Sequence, residues 1–220
     1  MIPSLLVAHI SVLGYWLGSE LVINATFRYV SDSSDMPFPE RERLMDHVMI
    51  VDQHVRYALV LQAALGTMLA ASLGFFPGGN ALVLTAALVG GAWLLFVELV
   101  HRLRHRSLGN RLATADRWSR YLLIVLLLAL AGGLLGGDWP IPTWLQWKLA
   151  CFAGVVACGA GIRLKLIGWF ECWNALRADP ESSALNTELM GHYWAATRVL
   201  LLLWLFIVAT VTLSLMKPAL

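Results

Sequence analysis

Long apolar runs separated by short polar connections set the pattern of this chain, and the runs are long enough to decide its class. A helix needs about 20 apolar residues to cross the hydrocarbon core of a bilayer. Six stretches meet that length, at 4–27, 52–73, 81–101, 119–137, 145–167 and 195–216, and they take up most of the 220 residues. No room remains for a soluble domain. The expected fold is all-α, one integral membrane domain over 1–220, a polytopic bundle of about six membrane-spanning helices. Two segments outside the spans also carry helical patterns. From Pro39 to Gln53, Glu40, Glu42 and Asp46 accompany apolar Leu44, Met45, Val48 and Met49, which predicts a helix running into the second span. Beyond Arg163, Trp169, Phe170, Trp173 and Leu176 alternate with polar groups, which predicts that the fifth helix continues along the membrane surface with aromatic anchors and ends near Asp179, before Pro180.

A polar stripe interrupts the first apolar run. Trp16, Glu20 and Asn24 follow His9 at spacings close to whole helical turns, so the four side chains share one face. An ionisable group at mid-span costs roughly 2.5 kcal/mol or more, so it is expected to face the bundle interior and to mark a functional site. Glu20 is the leading candidate. It lies ~16 Å along the axis from His9, in the half of the helix that carries Asn24 and Arg28.

Composition agrees with the pattern: 59% hydrophobic and 14% charged residues exclude a soluble fold. The cationic residues add orientation. Loops rich in Lys and Arg stay in the cytoplasm. Arg102, Arg104, Arg106, Arg111 and Arg117 lie between the third and fourth spans, with Arg120 at the next helix start. Arg41 and Arg43 lie in the first connection and Lys165 and Arg177 border the fifth span, whereas Phe75 to Asn80 and Gly137 to Thr143 carry neither Lys nor Arg. Both termini are therefore expected on the outer, periplasmic side of a bacterial inner membrane. The first run has no Lys or Arg before it and no small-residue cleavage site after it, so a retained span is expected. The net charge of +2 reflects insertion and not nucleic-acid binding. The expected partners are the lipid bilayer and, within it, a second copy or another membrane protein. Cys151 and Cys158 are too far apart along one helix to pair, and with Cys172 they are expected to be packing thiols.

Asp52-Gln-His-Val-Arg56-Tyr57 at the mouth of the second span echoes Asp116-Arg-Trp-Ser-Arg120-Tyr121 at the mouth of the fourth, and Trp-Leu followed by Glu-Leu-Val surrounds both Glu20 and Glu98. Duplicated hairpins would bring each glutamate towards the arginine at the start of the next helix. Asp52, His54 and Arg56 form a second candidate polar cluster. His47, His101, His105 and His192 read as surface groups, although His101 and His105 have the i, i+4 spacing of metal ligands. His9 stands a few residues inside the outer end of span one, and Lys148 stands at a similar depth in span five. The two would meet if those helices are neighbours.

His9 followed by Gly14-Tyr15-Trp16-Leu17-Gly18-Ser19-Glu20 resembles the first helix of the HemJ-type and CopD-type membrane proteins, the latter including copper resistance protein D and its uncharacterised relatives. Trp144-Leu-Gln-Trp-Lys148-Leu149 is similar to the opening of a later HemJ helix. The Asp52 to Arg56 segment resembles CopD relatives, with Val55 where those often have Pro. The resemblance implies a haem b within the bundle and essential roles for His9 and Lys148. On that basis a membrane oxidoreductase is expected, with His9 as the metal ligand, Lys148 as ligand or anion partner, Trp16 and Glu20 lining the cofactor cavity, and Glu20 and Lys148 as the catalytic groups. No second intramembrane histidine matches the depth of His9, so the sixth iron position would be filled by Lys148 or left open. Two other classes stay open. One is copper transport, in which Cys151 would join His9; the other is a non-catalytic assembly subunit whose polar stripes specify helix packing.

Overall fold

In the computed structural model, which describes residues 2–103, 106 and 109–217, the chain is a bundle of six helices. They are α1 (Ile2–Asp32), α2 (Phe38–Ser72), α3 (Gly79–Arg102), α4 (Gly109–Ala131), α5 (Thr143–Ala178) and α6 (Ser183–Met216). Arg104 and His105 lie outside the described residues. Local chemistry sets the boundaries. Pro39, which has no backbone N–H to leave unpaired, sits in the first turn of α2 together with Glu40. The Ser182 side chain caps α6 by accepting from the Leu185 backbone N–H. Gly78, with φ at 108°, turns the chain into α3 through a conformation that other residues rarely adopt.

Five of these helices, α1, α2, α3, α5 and α6, are long and apolar enough to cross a membrane. The chain is thus a multi-pass helical membrane bundle. The fourth expected span is displaced: α4 occupies Gly109–Ala131, not 119–137. Gly132 and Gly133 end it early, Gly133 with φ at 69°, and its first half carries Arg111, Asp116, Arg117 and Arg120.

Each helix packs on its sequence neighbours and α1 returns to α6, so the six close a ring. One end of the ring holds the chain termini. There Phe75 and Lys217 both lie against Trp144, and Phe76 meets Trp139. The opposite end holds the arginine-bearing connections. Bilayer lipid is as apolar as leucine, so helix association inside it depends on close packing, which small residues allow. The α5–α6 seam follows that rule at intervals of seven residues. A Cβ placed on Gly154, Gly161 or Gly168 would meet Phe206, Val199 or His192 at 2.9, 3.4 or 2.6 Å.

At the arginine end the expected surface extension of α5 is instead a packed core. Trp169, Trp173 and Leu176 are buried beside Phe27, Phe38, Leu189 and Tyr193, with Trp169 stacked on Trp173 at 4.9 Å between ring centroids. Arg41, only 1% exposed, seals this core. It donates to the Val30 carbonyl near the α1 C-terminus at 3.0 Å and to Asn186 Oδ1 at 2.9 Å, with its guanidinium over Trp173.

Candidate intramembrane site

The polar stripe of α1 opens onto a chamber of about 280 Å³ between α1, α2, α5 and α6. Most of its wall is apolar, from Ile23 and Phe27 on α1 to Met45 and Val48 on α2 and Leu166 and Phe170 on α5. Its polar wall is sparse and specific. Glu20, 8% exposed, accepts from Trp16 Nε1 at 3.2 Å, and a second carboxylate, Asp52, lines the same chamber. Asn24 Oδ1 accepts from Tyr193 Oη and Thr197 Oγ1, both at 3.3 Å, which leaves the amide nitrogen as the group available to a ligand.

Across the chamber the cations converge. Arg56 donates from Nε and Nη2 to one oxygen of Asp52 at 3.0 and 2.9 Å. Arg120 donates to Asp116 Oδ2 at 3.0 Å, and Arg163 reaches that same oxygen only at 3.8 Å. Arg56, Asp116, Arg120 and Arg163 line one further space, so the two Asp-x-x-x-Arg segments face each other through the bundle interior with Arg163 beside them. Each aspartate occupies the arginine one turn further along its own helix. Neither glutamate pairs with the next helix's arginine: Glu20 takes Trp16, while Glu98 accepts from Tyr57 and Arg102.

Of the sequence-derived candidates, Trp16 and Glu20 are brought together, and Asp52 and Arg56 line the Glu20 chamber. His54 turns aside to hydrogen-bond Tyr15. Two residues from each partner on a helix, it points about 200° away from both. His9 and Lys148 lie nearer the terminal end. The Lys148 ammonium acts electrostatically on His9, whose backbone carbonyl accepts from Gln62 Nε2 at 2.9 Å and whose ring sits over Gly66. Helices α1 and α5 do touch, through Trp16 against Phe152 and through Trp169 Nε1 donating to Ser31. No family model matches the chain, and no curated protein or solved structure matches it.

The side chains present fit the haem expected from the resemblance only in part. His9 Nδ1 is buried and has no hydrogen-bond partner among the described residues, as an imidazole waiting for a ligand would. Neither principal cavity reaches it, however, and neither reaches Lys148. For copper, Met45 and Met49 line the chamber without any of the three cysteines, and no group of three or more His, Cys, Asp or Glu side chains among the described residues is arranged around a metal position. Sequence reasoning missed Arg163 because the positive-inside rule accounts for any arginine at that end of a span.

Proposed function

We propose that this chain is a multi-pass protein of the bacterial inner membrane that binds a small organic acid with a largely apolar body in the α1/α2/α5/α6 chamber, with Glu20 exchanging the accompanying proton. The observation that carries the proposal is one apolar chamber bordered by Glu20 on α1 and by Arg163 on α5. Among the described residues Arg163 makes only a long contact, to an aspartate that Arg120 already holds, so its N–H donors are available to a carboxylate. The apolar wall accepts the body of the ligand and disfavours hydrated inorganic ions. A carboxylate entering such a site carries a charge that a proton on a nearby group can offset, and Glu20 is the chamber carboxyl without a cation in contact. Arginine asymmetry supports the inner-membrane placement with termini outside.

The test uses fluorobenzoate as the probe, titrated into the detergent-purified protein and followed by fluorine NMR. Saturable binding is expected, weakened roughly ten- to a hundredfold in Arg163→Gln, since a hydrogen bond to a charged group contributes about 1.5–3 kcal/mol. Proton uptake on binding should accompany the wild type and vanish in Glu20→Gln. Unchanged affinity in Arg163→Gln rejects the proposal.

A second reading, haem b held by His9 with Lys148 as its neighbour, draws on the unpartnered Nδ1 of His9. Its test is the absorption spectrum of protein purified after growth with added haem precursor. A Soret band lost in His9→Ala supports it, and a colourless wild type rejects it.

A further inference from the structure

Behind the Arg56–Arg163 wall lies a second cavity, of about 370 Å³, between α2, α3, α4 and α5. Its chemistry is the reverse of the first. Arg56, Arg117, Arg120 and Arg163 line it, and the one carboxylate among its lining residues is Asp116. That carboxylate is only 3% exposed and spends a single oxygen on Arg120 at 3.0 Å and Arg163 at 3.8 Å. Asp52 is committed to Arg56 from the other side of the wall. Each guanidinium carries five N–H donors, so most of the donors around this cavity are unspent.

Asp52 and Asp116 match two of these four charges, and the positive charge left in excess around one space is stabilised by a further anion lying between them. A phosphate group presents several oxygens to such guanidinium forks at once. The cavity lies at the arginine end, where α3 meets α4, the sparsest contact in the ring, so a phosphate can enter on a lipid headgroup as well as from solution.

We infer that the α2/α3/α4/α5 cavity is a phosphate site, in which Arg117 and Arg120, with Arg56 at the wall, hold the phosphate group. The site is separate from the acid-binding chamber, although Arg56 and Arg163 border both.

The experiment compares wild type with Arg117→Gln and with the Arg117→Gln/Arg120→Gln double variant, all purified in neutral detergent. Arg117 is exposed and lines only the second cavity, so its replacement preserves folding and leaves fluorobenzoate binding unchanged. Two probes are titrated against thermal unfolding: inorganic phosphate, and mixed micelles containing phosphatidic acid with phosphatidylcholine micelles as the control. Saturable stabilisation by phosphatidic acid alone assigns the site to a headgroup. Stabilisation by inorganic phosphate assigns it to the free ion. In either case the apparent affinity should fall about tenfold in the single variant and further in the double. No stabilisation of the wild type by either probe overturns the inference, as does the same affinity in the double variant. Fluorobenzoate binding, measured in parallel, fails or survives independently of these outcomes.

Discussion

The three glycines along the α5–α6 seam form a built-in comparison, since one substitution can be made at three positions of one helix that differ mainly in the room available. Gly161→Ala would place its methyl 3.4 Å from Val199 Cγ1, an ordinary contact, so only the backbone effect remains. Alanine is favoured over glycine in a helix interior by about 0.8–1 kcal/mol, and this variant should match or exceed wild-type stability. Gly154→Ala places the same methyl 2.9 Å from two atoms of the Phe206 ring and 3.0 Å from a third. Overpacking costs about 1–3 kcal/mol, so after the backbone gain a net loss of roughly 0–2 kcal/mol is expected. At Gly168 the methyl would lie 2.6 Å from His192 Cε1, but that side chain is 33% exposed and can swing away, giving up its 3.6 Å contact with Glu188. Its loss should fall between the other two. Unfolding by dodecyl sulfate in mixed micelles, followed by helical circular dichroism, gives the order. If Gly161→Ala is destabilised as much as Gly154→Ala, the seam is not packed as described.

Replacing Arg41 by Ala removes two hydrogen bonds from a buried guanidinium, to Val30 and Asn186, and should cost about 3–5 kcal/mol in the same assay. Arg41→Lys should recover only part of it, and equal stability of Lys and Arg would contradict the two-armed contact. Asp116→Asn leaves Arg120, whose side chain is 10% exposed, without its carboxylate, for a loss of about 3–5 kcal/mol. Adding Arg120→Gln should restore part of that loss; a double variant no better than the single would show that the pair is not coupled. Cys172 donates to the Leu185 carbonyl and is only 5% exposed. It should resist maleimide until the protein unfolds, as read by mass spectrometry; rapid labelling of the folded protein would argue against a closed core.

Much of the architecture is legible in the sequence because the bilayer imposes its own length on apolar runs. Five of the six expected spans, α1, α2, α3, α5 and α6, meet that rule, and the extension of α2 back to Phe38 follows from Pro39 and the acidic residues after it. The fourth helix is misplaced because an apolar count passes through Gly132 and Gly133 without registering that they end a helix. An amphipathic face looks the same in sequence whether it meets headgroups or other helices, so Trp169 and Trp173 read as anchors although they are core. The α1 stripe locates Glu20 because a carboxyl is costly inside a span and therefore turns towards the bundle interior. What the stripe cannot reveal is which face of α5 returns to it, and that face carries Arg163. The seven-residue glycine spacing of α5 is visible along the chain, but its meaning comes from Phe206, Val199 and His192 opposite.

The most direct test of the account is covalent labelling of Glu20 with diisopropylcarbodiimide, which attacks protonated carboxyls in apolar surroundings. The chamber predicts one dominant adduct, at Glu20, formed on the fraction that carries a proton before any ligand enters, with labelling slowed by saturating fluorobenzoate because the acid fills the space the reagent needs, and unchanged in His9→Ala. Adducts spread over Glu98 and the surface carboxylates, or labelling of Glu20 that fluorobenzoate leaves untouched, would contradict it.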